Sequence, residues 1–164
     1  MGRKSIKEDK NVYQEARDAL GWSREKAADE IAKIENGRFN YLNEDKLFKI
    51  EFETAKIQPE DVLGLSLAYN VPELRNYYCC NQCPIGERDA PEVIYKDNVH
   101  EILVNMSVSL ESVNSKKLRL MEILADGKVD DTEMPDLNKI LEELEKISMT
   151  VEAIQLWCEK MKNQ

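Results

Sequence analysis

The sequence predicts an all-α protein in two parts joined by a short linker. Residues 1–80 contain short amphipathic segments separated by tight turns, with apolar side chains three or four positions apart, which is typical of a small helical bundle. Residues 97–164 contain two long segments whose apolar side chains follow a heptad pattern, which is typical of a coiled coil. The stretch 81–96 contains prolines and a glycine and is predicted to be the linker.

Capping residues delimit the first two helices. Helix 1 is expected from about Asn11 to Leu20, and Gly21 is expected to stop it. Ser23 is expected to cap the N-terminus of helix 2, because its hydroxyl can accept a hydrogen bond from a backbone N–H of the first turn. The pair Asn36-Gly37 is expected to end helix 2, since both residue types tolerate a left-handed backbone.

Three further helices complete the predicted bundle. Asn43 is expected to cap helix 3, in which Leu47 and Ile50 face inward. Pro59 suits the first turn of helix 4, where its missing N–H costs nothing. Pro72 is expected to start a short fifth helix.

The two heptad segments are predicted to fold back on each other as an antiparallel helical hairpin. Gly127 is expected to end the first long helix, and Asp130 or Asp131 to start the second. Two such hairpins can pair into a four-helix bundle, so a homodimer is expected. The residues assigned to the dimer or partner seam are Leu103, Leu110, Leu144, Val151 and Ile154.

The spacing Arg17-x3-Gly21-x-Ser23-x3-Ala27-Ala28, followed by Leu47-x2-Ile50-Glu51, resembles the phage-repressor (Xre or Cro/C1) helix-turn-helix family. The resemblance covers about residues 11–70. It implies a helix-turn-helix DNA-binding domain in which helix 3 is the recognition helix and in which Arg17 and Glu51 form a structural ion pair. The continuation through Cys83-Pro84-Ile85-Gly86 resembles a narrower group of such regulators, found in Gram-positive bacteria and their mobile elements, with a helical C-terminal region.

The connection between helices 2 and 3 departs from the family pattern. The family has a short turn there, whereas Ala32–Tyr41 is much longer in this chain. Lys33-Ile34-Glu35 also repeats the later Lys49-Ile50-Glu51, so either copy can close helix 3; the later one is favoured because Pro59 follows it at a suitable distance. Docking of a recognition helix depends on the angle between helices 2 and 3, and the insertion bears on that angle.

Candidate nucleic-acid contacts lie in a basic N-terminal arm and around helices 2 and 3. Cationic and amide side chains at such places contact phosphates and base edges. The candidates are Arg3, Lys4, Lys7, Arg24, Asn43, Lys46 and Lys49. Glu44 and Asp45 oppose this interpretation because they would repel phosphates; alternatively they stabilise the helix dipole from its first turn.

The cysteine cluster Cys79-Cys80-x2-Cys83 has spacings that thiolate ligands of zinc can adopt. A tetrahedral site needs a fourth ligand, which His100 or a second subunit would have to supply. The alternative is that the three cysteines are packed or free thiols. Apart from zinc, no cofactor is expected.

Composition favours an intracellular binding protein over an enzyme. The chain has 164 residues, a formal net charge of -9 and a single histidine, and it lacks a glycine-rich phosphate loop or a nucleophile motif. The charged start has no apolar core and no segment is long enough to cross a bilayer, so a cytoplasmic location is expected. Residues 1–70 carry 12 basic and 14 acidic side chains, and residues 97–164 carry 8 and 14, so the excess acidity lies mainly in the last third.

Three functions fit these observations, the third being an assembly or adaptor protein that acts through the helical hairpin. The first is a dimeric DNA-binding transcriptional regulator that reads operator sites in double-stranded DNA. The second is an acidic protein-binding inhibitor, similar to anti-CRISPR proteins, that blocks the nucleic-acid channel of a host nucleic-acid-guided nuclease. The acidic last third and the acidic start of helix 3 favour the second.

Overall fold

The computed structural model of the chain describes residues 10–93 and 98–162, and all regular secondary structure in these ranges is helical. The predicted all-α class is therefore confirmed. The α-helices are α1 (Val12–Ala19), α2 (Arg24–Ile31), α3 (Glu44–Glu51), α4 (Pro59–Tyr69), α5 (Glu73–Gln82), α6 (Gly86–Asp89), α7 (Val99–Ile123) and α8 (Met134–Lys162). Helices α1–α6 belong to one compact unit, the N-terminal unit, and Pro91–Lys162 forms a second, the C-terminal unit. Among the described residues, no helix is long and apolar enough to cross a membrane.

Helix starts in the N-terminal unit follow the predicted caps. The side chains of Asn11, Ser23 and Asn43 each accept a hydrogen bond from a backbone N–H in the first turn of the helix that follows. Pro59 is the first residue of α4, where Gln58 and Asp61 form a capping box. These starts are encoded locally, because each needs only the cap residue and its own first turn.

The core of the N-terminal unit lies among α1–α5. Phe39 is the largest core side chain that lies outside these helices, and it is 0% exposed. The buried apolar residues of this core are Tyr13, Ala27, Ile31, Phe39, Leu42, Leu47, Ile50, Ile57, Val62, Leu65, Tyr69, Leu74 and Tyr78.

The long connection between α2 and α3 is folded onto this core. A 3₁₀ turn at Ile34–Gly37 reverses the chain through left-handed residues, among them Asn36 with φ of 57°. Phe39 and Leu42 then enter the core against Gly64 of α4. Helices α2 and α3 still pack against each other, so the insertion leaves their contact in place. Helix α3 ends at Glu51, which agrees with the later of the two possible registers.

The interval 81–96 was predicted to be a linker, but much of its described part is helical. Helix α5 continues to Gln82, and α6 follows at Gly86–Asp89. A Cβ atom at Gly86 would overlap the backbone carbonyl of Cys79, so only glycine lets α6 approach α5 this closely. Residues 94–96 of this interval lie outside the described residues.

In the C-terminal unit, α7 and α8 pack along each other. Arg119 Nε lies 2.9 Å from Asp136 Oδ2, and Lys116 Nζ lies 3.9 Å from Glu143 Oε1, so later positions of α7 meet earlier positions of α8. Helix α8 starts at Met134, later than predicted. Asp130 nevertheless caps the turn that leads into it: its Oδ1 accepts the backbone N–H groups of Thr132 and Glu133, and the Met134 N–H already bonds to its carbonyl. The next residue, Pro135, has no N–H and interrupts the hydrogen-bond ladder there.

Candidate nucleic-acid interface

A buried ion network holds α1, α2 and α3 together. Glu51, at the end of α3, is 2% exposed and receives Arg17 from α1 through two hydrogen bonds, Nε at 2.6 Å and Nη2 at 3.0 Å. Arg24, the first residue of α2, donates its Nε to Glu51 Oε2, the oxygen that also accepts Arg17 Nη2, at 2.7 Å. Arg17 also donates to the Trp22 carbonyl and pairs with Asp18. Because fork-shaped guanidinium–carboxylate bonds are directional, the network fixes the angles at which the three helices meet.

Arg24 has a second role on the outer surface of α3. Phe48 and Phe52 lie one helical turn apart with their rings stacked at 4.4 Å between centroids. The Arg24 guanidinium carbon lies 5.3 Å from the Phe48 centroid and 5.4 Å from that of Phe52. Arg24 therefore links the buried carboxylate of Glu51 to a surface aromatic pair, and its charge is compensated from inside the protein.

The outward face of α3 is mixed in character. Glu44, Asp45 and Lys49 are exposed, and Phe48 at the centre of this face is 42% exposed. Both acids lie in the first helical turn, where they complement the helix dipole. The face therefore presents one apolar ring flanked by two carboxylates and one ammonium group.

The predicted polar contacts near α3 all have partners within the protein. Asn43 is occupied as the N-cap of α3. Lys49 Nζ lies 2.6 Å from Asp45 Oδ2, an exposed pair whose rupture costs about 1 kcal/mol or less. Lys46 Nζ lies 3.1 Å from a carboxylate oxygen of Asp61, whose side chain is only 2% exposed. Lys49 can thus exchange Asp45 for a phosphate at small cost. If Lys46 bound a phosphate instead, the buried carboxylate of Asp61 would lose an ion-pair partner, which is costly.

Asp61 joins the connection, α3 and α4. Besides Lys46, it accepts the Gln58 backbone N–H at 3.0 Å and a hydrogen bond from the Tyr41 hydroxyl. Burial and the Asp61 carboxylate raise the pKa of Tyr41 to about 12, so this hydroxyl keeps its proton and donates at neutral pH. Asp61 thereby anchors the start of α4 to the α3 surface.

The three clustered cysteines do not point the same way. Cys79 and Cys83 pack on the core, whereas the Cys80 thiol lies 3.7 Å from Asn76 Oδ1 and 3.6 Å from the Ala90 carbonyl. None of the three forms a disulfide. Across residues 10–93 and 98–162, no group of three or more His, Cys, Asp and Glu side chains is arranged to hold a metal ion.

A second candidate surface lies on the C-terminal unit. Four of the predicted seam residues stay 37–47% exposed, and Ile154 is half-buried. The packing between α7 and α8 instead uses the neighbouring stripe, in which Ile102 and Ile123 of α7 and Ile140 of α8 are buried. The four exposed seam residues are Leu103, Leu110, Leu144 and Val151.

Sequence reasoning found most of these residues but missed two features. Arg3, Lys4 and Lys7 of the predicted basic arm lie outside the described residues. The first feature is the role of Arg24, which was expected to contact a phosphate or a base of a nucleic acid. No local sequence pattern indicates its bond to Glu51, because the two residues are 27 positions apart. The Phe48–Phe52 pair did have a signal, since residues four apart in a helix are neighbours on its surface.

Comparison of the chain with models of known protein families, with characterised proteins and with solved structures found no match.

Proposed function

We propose that the chain is a dimeric DNA-binding regulator. The N-terminal unit is a helix-turn-helix bundle with α3 as its recognition helix, and the C-terminal unit is an antiparallel hairpin that pairs with a second copy. The target is a double-stranded operator site.

One observation carries this proposal: the Arg17–Glu51–Arg24 network holds α3 in a fixed orientation while its outward face stays exposed. Glu51 contributes its buried carboxylate to α1 and α2, and Phe48 and Lys49 point outward on the same helix. A helix that enters the major groove needs this combination, because reading base edges requires an exposed face held rigidly by the rest of the domain.

Residues 1–70 carry nearly equal numbers of basic and acidic side chains, so the N-terminal unit can bind DNA only through a small number of phosphate contacts. Asp45 and Lys49 form an exposed pair that a phosphate can replace on the lysine side. Lys26 lies over the Trp22 ring near the start of α2, where phosphates also approach helix N-termini. With few cations available, the salt dependence of binding should be moderate rather than steep.

We predict that Lys49→Gln weakens duplex binding by a similar factor for all sequences. If Lys49 neutralises one phosphate, the slope of log K against log salt should become shallower by about 1. Fluorescence anisotropy with a randomised duplex pool, titrated at several salt concentrations, measures both quantities. Lys146→Gln is the matched control, because Lys146 is likewise an exposed lysine paired with an acid on its own helix, but in the C-terminal unit. Unchanged binding by the Lys49 variant would place α3 away from the phosphates.

The hairpin supports the dimeric part of the proposal. Leu103 and Leu110 of α7 are seven positions apart, as are Leu144 and Val151 of α8, and all four side chains stay exposed. Each helix therefore keeps an exposed apolar strip in addition to the stripe that the two helices bury between themselves. An exposed apolar strip at heptad spacing is the surface through which helical hairpins pair into four-helix bundles.

We predict that Leu110→Glu converts the dimer to a monomer. A glutamate at this strip would be buried unpaired in the four-helix bundle, which is strongly unfavourable. Analytical ultracentrifugation across a concentration series measures the change. Val108→Glu is the control, because Val108 is 65% exposed on another side of α7 and the substitution should leave the dimer intact. A monomeric wild-type chain at high concentration would contradict the dimer.

The second candidate, an inhibitor that occupies the cationic channel of a nucleic-acid-guided nuclease, is favoured by one feature of α3. Its exposed start carries Glu44 and Asp45, while Lys46 is tied to buried Asp61. The duplex titration separates the two functions, since the inhibitor would show no salt-sensitive duplex binding.

A further inference from the structure

The outward face of α3 has an unusual centre for a surface that meets a polyanion. Phe48 is 42% exposed and stands one turn into the helix, between Glu44 and Phe52 along the same side. Its ring can neither donate nor accept a conventional hydrogen bond. Any group that this position recognises is therefore recognised by apolar contact.

The ring is held in place from behind. Phe52 stacks on it with an interplanar angle of 25°, and the Arg24 guanidinium covers both rings. Arg24 is in turn bonded to buried Glu51. Phe48 is thus a positioned side chain, and Arg24 acts as its positioning residue rather than as a phosphate contact.

The major-groove edges of the four bases differ in what they offer to such a ring. In the major groove, guanine, adenine and cytosine are distinguished by their hydrogen-bond donors and acceptors, whereas thymine also presents an apolar 5-methyl group. We propose that Phe48 is a specificity-determining residue that reads the 5-methyl group of a thymine in each half-site. This inference rests on the proposed function, because it requires α3 to lie in the major groove.

The test uses the full chain and DNA in which single thymine methyl groups are removed. Selection from a random duplex library first identifies a bound site, and each thymine of that site is then replaced singly by deoxyuridine, which lacks only the 5-methyl group. At one thymine in each half-site, the replacement should weaken binding about fourfold, the value for one buried methyl-sized group. Phe48→Ala should bind the thymine and uracil sites equally.

Two further variants make the result unambiguous. Phe48→Leu keeps an apolar side chain, so it should retain part of the thymine preference even if the alanine variant folds poorly. Leu20→Ala is the matched control, because Leu20 is 40% exposed at the C-cap of α1 and its removal should leave the fourfold effect unchanged.

The outcomes distinguish this inference from the proposed function. If a duplex is bound but no thymine is sensitive to uracil, or if Phe48→Ala keeps the sensitivity, the role of Phe48 is wrong and the DNA-binding function stands. If no duplex is enriched or bound, both fail together, and the aromatic pair would then belong to a protein-binding surface.

Discussion

Replacing Glu51 by glutamine should destabilise the N-terminal unit by about 3–5 kcal/mol, the range observed when one partner of a buried charge pair is removed. The carboxylate is 2% exposed and accepts from both Arg17 and Arg24. Glutamine keeps the shape but removes the negative charge, so the buried Arg17 guanidinium faces a neutral acceptor on α3 and keeps the partly exposed Asp18 as its charged partner. Since whole domains are stable by only about 5–15 kcal/mol, such a loss would take a large part of the total.

The measurement needs a probe that reports on the N-terminal unit alone. The chain has two tryptophans, Trp22 and Trp157. In a Trp157→Phe background, Trp22 fluorescence follows the N-terminal unit, because its ring packs edge-on against Tyr69 at 6.1 Å. Urea unfolding of the Glu51→Gln chain should show a lower midpoint, with the free energy taken from linear extrapolation.

Asp45→Asn supplies the matched control for Glu51→Gln. It neutralises another carboxylate of α3, but that side chain is 72% exposed and makes only a surface ion pair. Its effect should stay within about 1 kcal/mol. A Glu51→Gln loss no larger than the Asp45→Asn loss would show that the network does not hold the three helices together.

The parts of the fold that were predictable from sequence are those specified within a few residues. Ser23 and Asn43 cap helices with their own side chains, and Pro59 begins α4 where a missing N–H is harmless. The cap at Asp130 is local in the same way, but the regular part of α8 begins only at Met134 because Pro135 has no N–H to continue the hydrogen-bond ladder.

The side of α7 that faces α8 could not be predicted, because the exposed stripe has the stronger apolar pattern. Leu103 and Leu110 keep heptad spacing but are exposed, whereas the stripe of the buried Ile102 and Ile123 has Ser109 and Lys116 at its intermediate heptad positions. A single sequence does not say which stripe faces the other helix of the same chain. The exposed stripe is what leaves room for a second copy.

The surroundings of the α3 residues could be predicted only in part. Lys46 and Lys49 lie near each other because they share a short helix. Whether Lys46 is available for a ligand depends on Asp61, which lies 15 positions further along the chain and is buried beside it. Long-range partners of this kind decide the chemistry of a surface, and local patterns carry no information about them.

Phe39→Ala should destabilise the N-terminal unit by about 3–5 kcal/mol, because it removes a large buried ring and leaves a cavity. Phe39 is 0% exposed, although it belongs to the connection that interrupts the helix-turn-helix pattern. The same Trp22 measurement applies. Phe48→Ala is the control: the same substitution at a 42% exposed phenylalanine should cost about 0.5–1.5 kcal/mol, chiefly through its lost ring stacking.

Coupling between Phe39 and Gly64 tests whether the connection is packed as described. A Cβ at Gly64 would lie 2.9 Å from both the ring of Phe39 and the side chain of Leu42, so Gly64→Ala in the wild-type chain should cost about 1–3 kcal/mol through overpacking. In the Phe39→Ala chain the ring is gone but the Leu42 contact remains, so part of that penalty should disappear, giving a coupling energy above about 0.5 kcal/mol in a double-mutant cycle. Additive losses would mean that Phe39 does not lie against α4. The inserted connection would then be a surface loop, and the fixed placement of α3 that the proposed recognition mode requires would lose one of its supports.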